Sequence, residues 1–476
     1  MPLILGAQSA TAGGGFEVTN SCRFNKADSP YLEKTQSAGN RDKWSFSVWF
    51  KVAQRDGVIH YLLGAKSDAS NYTVIEGGDG SDYIRFGNLV GGGYDSFKRS
   101  NQILVDNTAW YHMLCVYDSG NADSSLRQLV YLNGTQITSF GSDTTTTLNQ
   151  DSAMNDSASS LMIGNLSGES SWFDGYMAEV VLLDGTAASP TDFGEFDPDS
   201  PTQWRPIDVS GLAFGTNGFY LDFKDSANLG NDANGGTDFT ESGIDASDQS
   251  TDSPSNNFAT FQPLIEPNAN TYSQGNCVVT ASSSVWNSGC STVCLNKGKW
   301  YAEFKLTTTN YGTFGVARGE SLNLYGEGEM GYIPTNGLND SIGWYNGGAD
   351  IKKNGSAIFS GIATYTAGDI VCIALDLDNG GVYFRKADAA WENSADPTSG
   401  ASLTGAATID VTSGNTYFIG GTTYTSTSEF AANFGGSQPW GTLSSANQDA
   451  NGYGNFEYAV PTGYYAQCSR NIGEFG

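Results

Sequence analysis

The chain carries 51 acidic against 23 basic residues over 476 positions, a net charge of −28, and both parts are acidic: 33 acids to 14 bases up to residue 262, 18 to 9 beyond it. Neither part offers the positive field that nucleic acid or an anionic lipid surface requires, and no apolar run approaches the roughly 18 residues of a membrane helix, which excludes helical insertion. Sixty glycines, 12% aromatic and only 16% charged residues describe short strands joined by tight turns, over a length that suits two domains.

Residues 1–15 read as an arm: Leu3, Ile4 and Leu5 form an apolar cluster ahead of Gly13-Gly14-Gly15, suited to docking on another chain. Met1–Ala10 lacks the basic start and apolar core of a secretion leader, so synthesis in a cytoplasm is expected. In Lys43–Phe50 the alternation of Trp44, Phe46, Val48 and Phe50 predicts a strand with one buried face. Trp110–Tyr117, Gln128–Leu132, Leu161–Gly164 and Tyr176–Leu183 continue the series, with Asn133-Gly134 supplying a hairpin turn that needs positive φ.

From Asp184 to about Leu264 strand signals thin out, Phe219–Phe223 excepted, and Glu169–Asp252 holds seventeen acids against Arg205 and Lys224. Ser242–Asn257, poor in apolar residues, reads as an irregular acidic linker. A second block starts near Tyr272. Trp300, Ala302, Phe304 and Leu306 alternate with polar positions, Phe314–Val316, Ser341–Tyr345, Ile370–Leu375 and Tyr417–Ile419 follow, and Asn354-Gly355 and Asn379-Gly380 mark further turns. The expected organisation is an arm (1–15), a first sandwich with an irregular tail (16–241), a linker (242–271) and a second sandwich (272–476), all-β throughout.

Catalytic chemistry finds little support. Glycoside hydrolysis needs a pair of carboxyl groups about 5–9 Å apart, and alternate strand positions would put two on one side. The nearest string, Glu195-Phe196-Asp197-Pro198-Asp199, contains a proline and lies in the irregular tail. Asp376 and Asp378 flank a hairpin, and Glu327 and Glu329 lie among glycines. His60 and His112 have no nucleophile elbow nearby. The seven scattered cysteines read as small buried hydrophobes. Asp79, Asp82 and Asp174 are candidate ligands for calcium, which favours hard oxygen donors. Trp172 with Asp174, Trp344 with Tyr345, and Tyr424 are candidate sugar-binding positions, because an aromatic ring stacks on the apolar face of a pyranose, although Trp344, in a predicted strand, also reads as core.

The ordered strings KWSFSVWFK, AWYHMLCVYD, LVYLNG, LMIGN and FDGYMAEVVLLDG, over about Ser21–Asp184, resemble a laminin-G-like, concanavalin A-like module. KWYAEFKL, GTFGVARG, DSIGWYNGGADIKKNG, GDIVCIALDLDNGGVYFRKAD, NTYFIGG and EFAANFGG, over Lys299–Gly436, resemble a SPRY domain. Both resemblances imply concanavalin-like jelly-roll β-sandwiches in tandem. The joining segments, among them FGTNGFYLDFKDSANLGNDANGG and PTGYYAQCSRNIGEFG, resemble structural proteins of marine tailed bacteriophages. That resemblance implies a non-enzymatic virion surface protein, of tail-fibre, head-fibre or decoration type. It would be a homo-oligomer, with a trimer expected, binding host surface glycan or neighbouring virion proteins and docked through Leu3, Ile4 and Leu5. A virion-borne glycan depolymerase and a ligand-free spacer are the alternatives.

Overall fold

Alternation builds the first sandwich as expected. The structure, a computed structural model, describes residues 15–54, 57–78, 80–264, 270–308, 311–319, 330–332, 340–412 and 414–476. Within Lys43–Val52, Trp44, Phe46, Val48 and Phe50 enter one core, whereas Trp49 turns to the opposite face. That strand lies between Tyr111–Asp118 and Gly175–Asp184 in a sheet that runs on through Ser21–Phe24 to Gln249–Ser250. The sheet across the core is ordered Phe140–Thr144, Gly93–Ile103, Tyr83–Val90, Asn71–Gly78, His60–Asp68, Ser160–Ile163, Tyr31–Thr35 and Thr240–Ser242. Leu62, Leu63, Ile75, Phe86, Leu161 and Ile163 of this sheet meet the tryptophan-rich strand across the core. Removing such side chains from water contributes about 1.5–3 kcal/mol each.

The second sandwich repeats the plan. Trp300, Ala302, Phe304 and Leu306 of Lys299–Leu306 pack against Phe314, Val316, Ile342 and Trp344 of the facing sheet. The first of these sheets places Lys299–Leu306 between Glu429–Asn433 and Ile370–Asp376. The second is ordered Asn287–Cys290, Tyr417–Thr423, Gly312–Arg318, Ile342–Tyr345, Asp350–Lys353 and Ser356–Ser360. The α-helix among the described residues is the short Ser469–Phe475. The fold class is therefore as expected, two all-β sandwiches along one chain.

The linker is different. The described residues divide into 15–255 and 256–476, and the expected linker (242–271), as far as 264, is built into both units. Asp252 is buried in the first, paired with the Lys51 ammonium and accepting from Trp110 Nε1 at 3.0 Å. In the second, Phe261 is fully buried, edge-on to Phe430 and Phe434. Composition misleads here because the buried groups are polar but satisfied: Ser253 Oγ donates to Val18 O, and Ser21 Oγ to Asp252 O.

Two of the three Asn-Gly turns behave as expected, with positive φ at Asn133-Gly134 and at Asn354-Gly355. At Asn379-Gly380 only the glycine has positive φ, and Asp376 accepts from the backbone of Asp378 and Asn379 to close the loop.

Candidate functional site

The sheet registers of the second sandwich bring four aromatic residues to one rim. Trp286 immediately precedes Asn287–Cys290, Tyr424 follows Tyr417–Thr423, Tyr311 precedes Gly312–Arg318, and Tyr345 ends Ile342–Tyr345. Because Asn287 and Gly312 both pair with Thr423, and Thr313 pairs with Tyr345, these four strand ends lie side by side. The rings touch in sequence. Tyr424 and Trp286 centroids are 5.2 Å apart, Trp286 and Tyr345 6.3 Å, and Tyr345 and Tyr311 6.0 Å with planes 24° apart. Tyr311 is 50% and Tyr424 40% exposed, while Trp286 and Tyr345 are half-buried.

The ledge continues onto the outer face of the sheet. Trp344 and Ile351 pair and both enter the core, so their neighbours Tyr345 and Lys352 project outward. The Lys352 ammonium lies 4.6 Å from the Tyr345 ring and 5.4 Å from the ring of Tyr332, which is 48% exposed. Tyr332 is carried by a segment laid on a floor of outward-facing glycines. A Cβ at Gly343 would meet Met330 O at 2.5 Å. Met330 N donates to Thr422 Oγ1 and Gly331 N to Ser341 Oγ, fixing the segment to the sheet. Gly347 is equally constrained: a Cβ there would stand 2.3 Å from the Tyr345 hydroxyl.

The expected sugar-binding positions divide on this geometry. Tyr345 and Tyr424 are members of the ledge. Trp344 is not: it is fully buried, edge-on to Tyr365 and donating to Ala363 O, since period-two alternation sends it inward. Trp172 is half-buried in the first sandwich. Asp174, beside it in sequence, is buried and faces Lys26, with the ammonium at 3.7 Å and the Lys26 N–H at 3.5 Å. Trp286, Tyr311, Tyr332 and Lys352 were not singled out by sequence; Trp286 and Tyr311 stand at strand ends beside asparagine or glycine and Tyr332 follows a glycine in a turn, a signal as slight as the threonines around Tyr424.

Two of the three candidate calcium ligands, Asp82 and Asp174, are described. Among the described residues no three His, Cys, Asp or Glu side chains are placed to hold a metal ion. Asp174 is engaged by a cation, Asp82 is half-buried in a positive-φ turn, and Asp79 lies outside the described residues, as do Leu3, Ile4, Leu5, Glu327 and Glu329.

Among the described residues, the carboxylates and the histidine weighed for hydrolysis have other partners. Glu195 and Asp197 are bridged by Arg205, at 2.7 and 3.4 Å, in a short hairpin where a loop was expected. Asp376 is buried against Lys299 at 2.9 Å. A serine does meet a histidine: Ser47 Oγ lies 2.8 Å from His112 Nε2. The indole N–H of Trp204, which can only donate, reaches His112 Nδ1 at 3.0 Å. Nε2 therefore carries the proton and donates to the serine, the wrong tautomer for a general base. Burial pushes the imidazole down to about 3, keeping it neutral. All seven cysteines are free and six are buried.

Residues 26–192 match a family described as the Concanavalin A-like lectin/glucanases superfamily. No match is found among curated proteins. Among solved structures, the chain is similar to the SPRY domain of human HERC1, at 15% identity over 36% of this chain and 96% of that one, TM-score 0.28. It is similar to domains LG4-5 of the mouse laminin alpha1 chain, at 10% identity over 86% and 85%, TM-score 0.29. It is also similar to domain 4 of AbnA, a GH43 extracellular arabinanase from Geobacillus stearothermophilus, solved with arabinotriose, at 15% identity over 39% and 82%, TM-score 0.26.

Proposed function

We propose that the chain is a non-enzymatic glycan-binding protein whose binding surface is the ledge of Trp286, Tyr311, Tyr345 and Tyr424. The observation that carries this reading is a row of partly exposed rings, edged by the polar side chains of strand ends. Aromatic faces offer flat apolar area to the C–H face of a sugar ring, and neighbouring polar groups meet its hydroxyls. A concanavalin-like first sandwich, in a superfamily that includes lectins, supports the same reading. The engaged carboxylates and the tautomer of His112 favour binding over hydrolysis.

The setting we propose is the surface of a bacterial virus, as a fibre or decoration component made in the host cytoplasm and assembled as a homo-oligomer. Its partners there would be host surface glycan and neighbouring virion proteins. The support for this is the likeness of the joining segments to phage structural proteins. Several copies on a symmetric particle would turn weak sugar contacts into firm attachment.

A glycan array with the full chain, followed by calorimetry on the best saccharide, tests the binding reading. Trp286→Ala and Tyr345→Ala should each weaken binding about tenfold, the loss of one stacked ring. A wild-type chain that binds no saccharide, or ledge variants that bind as tightly as wild type, would overturn it.

A further inference from the structure

We infer that the ledge takes an acidic saccharide, one bearing a carboxylate or a sulfate ester, and that Lys352 is the residue that selects it. This rests on the reading of the ledge as a glycan site and adds the charge of the ligand to it.

Lys352 projects from Asp350–Lys353 on the same outer face as Tyr345 and lies over the rings of Tyr345 and Tyr332. Among the described residues no carboxylate reaches it within ion-pair distance. The next lysine, Lys353, is instead committed to Asp340 at 2.7 Å and donates to Thr408 O. The one acid on the same face of the strand is Asp350, cross-strand from Tyr345. Its Oδ1 is shielded from solvent and accepts no hydrogen bond, and a Cβ at Gly348 would stand 2.9 Å from it, so this oxygen is turned toward the 347–348 loop. Other strands of the sheet bring Thr313 and Thr422, both neutral, to this outer face.

A cation held over two tyrosine rings beside a row of stacking platforms presents one positive charge where a bound sugar would place its substituents. Neutral sugars gain only hydrogen bonds from such a group. An anionic substituent gains a hydrogen bond that is charged at both ends, with the Coulombic attraction of an ion pair added to it. The net charge of −28 opposes any anion at long range, but salt at ~0.15 M screens charges beyond about 8 Å, leaving the local ammonium to decide.

The test uses the full chain and three tetrasaccharide probes: neutral galactotetraose, an oligogalacturonate and a sulfated galactan fragment, measured at 50 and 500 mM NaCl. The expected result is that at least one acidic probe binds about tenfold more tightly than the neutral one at low salt, and loses that advantage at high salt. Lys352→Gln should bring the acidic probes to parity with the neutral one, and Lys352→Arg should restore the preference. Near-ultraviolet dichroism identical to wild type shows that the variants are folded. Neutral binding that equals acidic binding in the wild type overturns the inference but leaves the glycan reading standing. An acidic preference that survives Lys352→Gln overturns the role of the lysine. If neither acidic nor neutral saccharides bind, here and on the array, both fail together.

Discussion

Lys51 and Asp252, 201 positions apart, form an ion pair with both side chains almost wholly removed from solvent. The lysine also lies over the rings of Trp110 and Tyr176, and the aspartate accepts from the Trp110 indole. Removing one partner leaves the other charge buried and unanswered. Asp252→Ala should therefore destabilise the first sandwich by about 3–5 kcal/mol. Guanidinium unfolding followed by tryptophan fluorescence measures this, and a loss below about 1 kcal/mol would show the pair to be hydrated in solution. The double replacement Lys51→Met with Asp252→Leu should recover most of the deficit, because neither charge then remains.

Adjacent residues of one strand should give opposite phenotypes. Trp344→Ala empties a fully buried site and is expected to cost about 3–5 kcal/mol of stability. Tyr345→Ala trims a half-buried rim ring and should leave the unfolding midpoint nearly unchanged while weakening saccharide binding. Equal destabilisation by both would contradict the alternation that places them on opposite faces.

Acid dependence in the first sandwich should come from two buried groups of opposite sign. Burial raises Glu179 from 4.5 to about 7, against the hydrogen bond from the Tyr220 hydroxyl at 2.7 Å. The folded state thus keeps a proton that the unfolded chain releases, so this group's contribution falls as pH rises from about 4.5 to 7 and is flat above. His112 is lowered from 6.5 to about 3, so the unfolded chain binds the extra proton and stability falls as pH drops from 6.5 toward 3. Between 4.5 and 6.5 the two slopes oppose each other. Glu179→Gln should remove one and expose the other, giving stability that rises steadily with pH up to 6.5. Unfolding midpoints at half-unit pH intervals check this; a variant curve parallel to wild type would refute the assignment.

The second sandwich should need residues 256–262 to fold. Ala259 N donates to Gln467 O, Phe261 N to Asn276 O and Gln262 N to Cys290 O, while Thr292 N donates to Thr260 O. A fragment spanning 256–476 should be soluble with dispersed amide signals, whereas 263–476 loses Phe258 and Phe261 from its cores and should aggregate or remain molten. Equal behaviour of the two fragments would show the segment to be dispensable.

These contrasts mark how far the sequence could be read. Strands with strict alternation, such as Lys43–Val52 and Lys299–Leu306, were legible because each buries one apolar face. The stretch around Asp252 was not, since a buried aspartate looks like a solvated one until its lysine is found 201 positions away. The ledge was half legible. Tyr345 and Tyr424 stood out in polar company, but only the pairing of Asn287 and Gly312 with Thr423 reveals that Trp286 and Tyr311 belong beside them. Trp344 could be read both as a rim aromatic and as a core residue of a strand, and alternation decides for the core: beside an outward tyrosine, it is on the other side of the sheet.

The rings of the ledge stand at strand ends, outside the cluster that contains Phe314, Trp344 and Phe430. Folding and the proposed recognition consequently draw on separate sets of residues. If the ledge is the glycan site we propose, positions 286, 311, 345 and 424 lie outside that core and a preferred sugar would be free to drift through single substitutions while the sandwich persists. On that reading, lineages carrying this architecture would have room to follow a changing glycan without passing through unfolded intermediates.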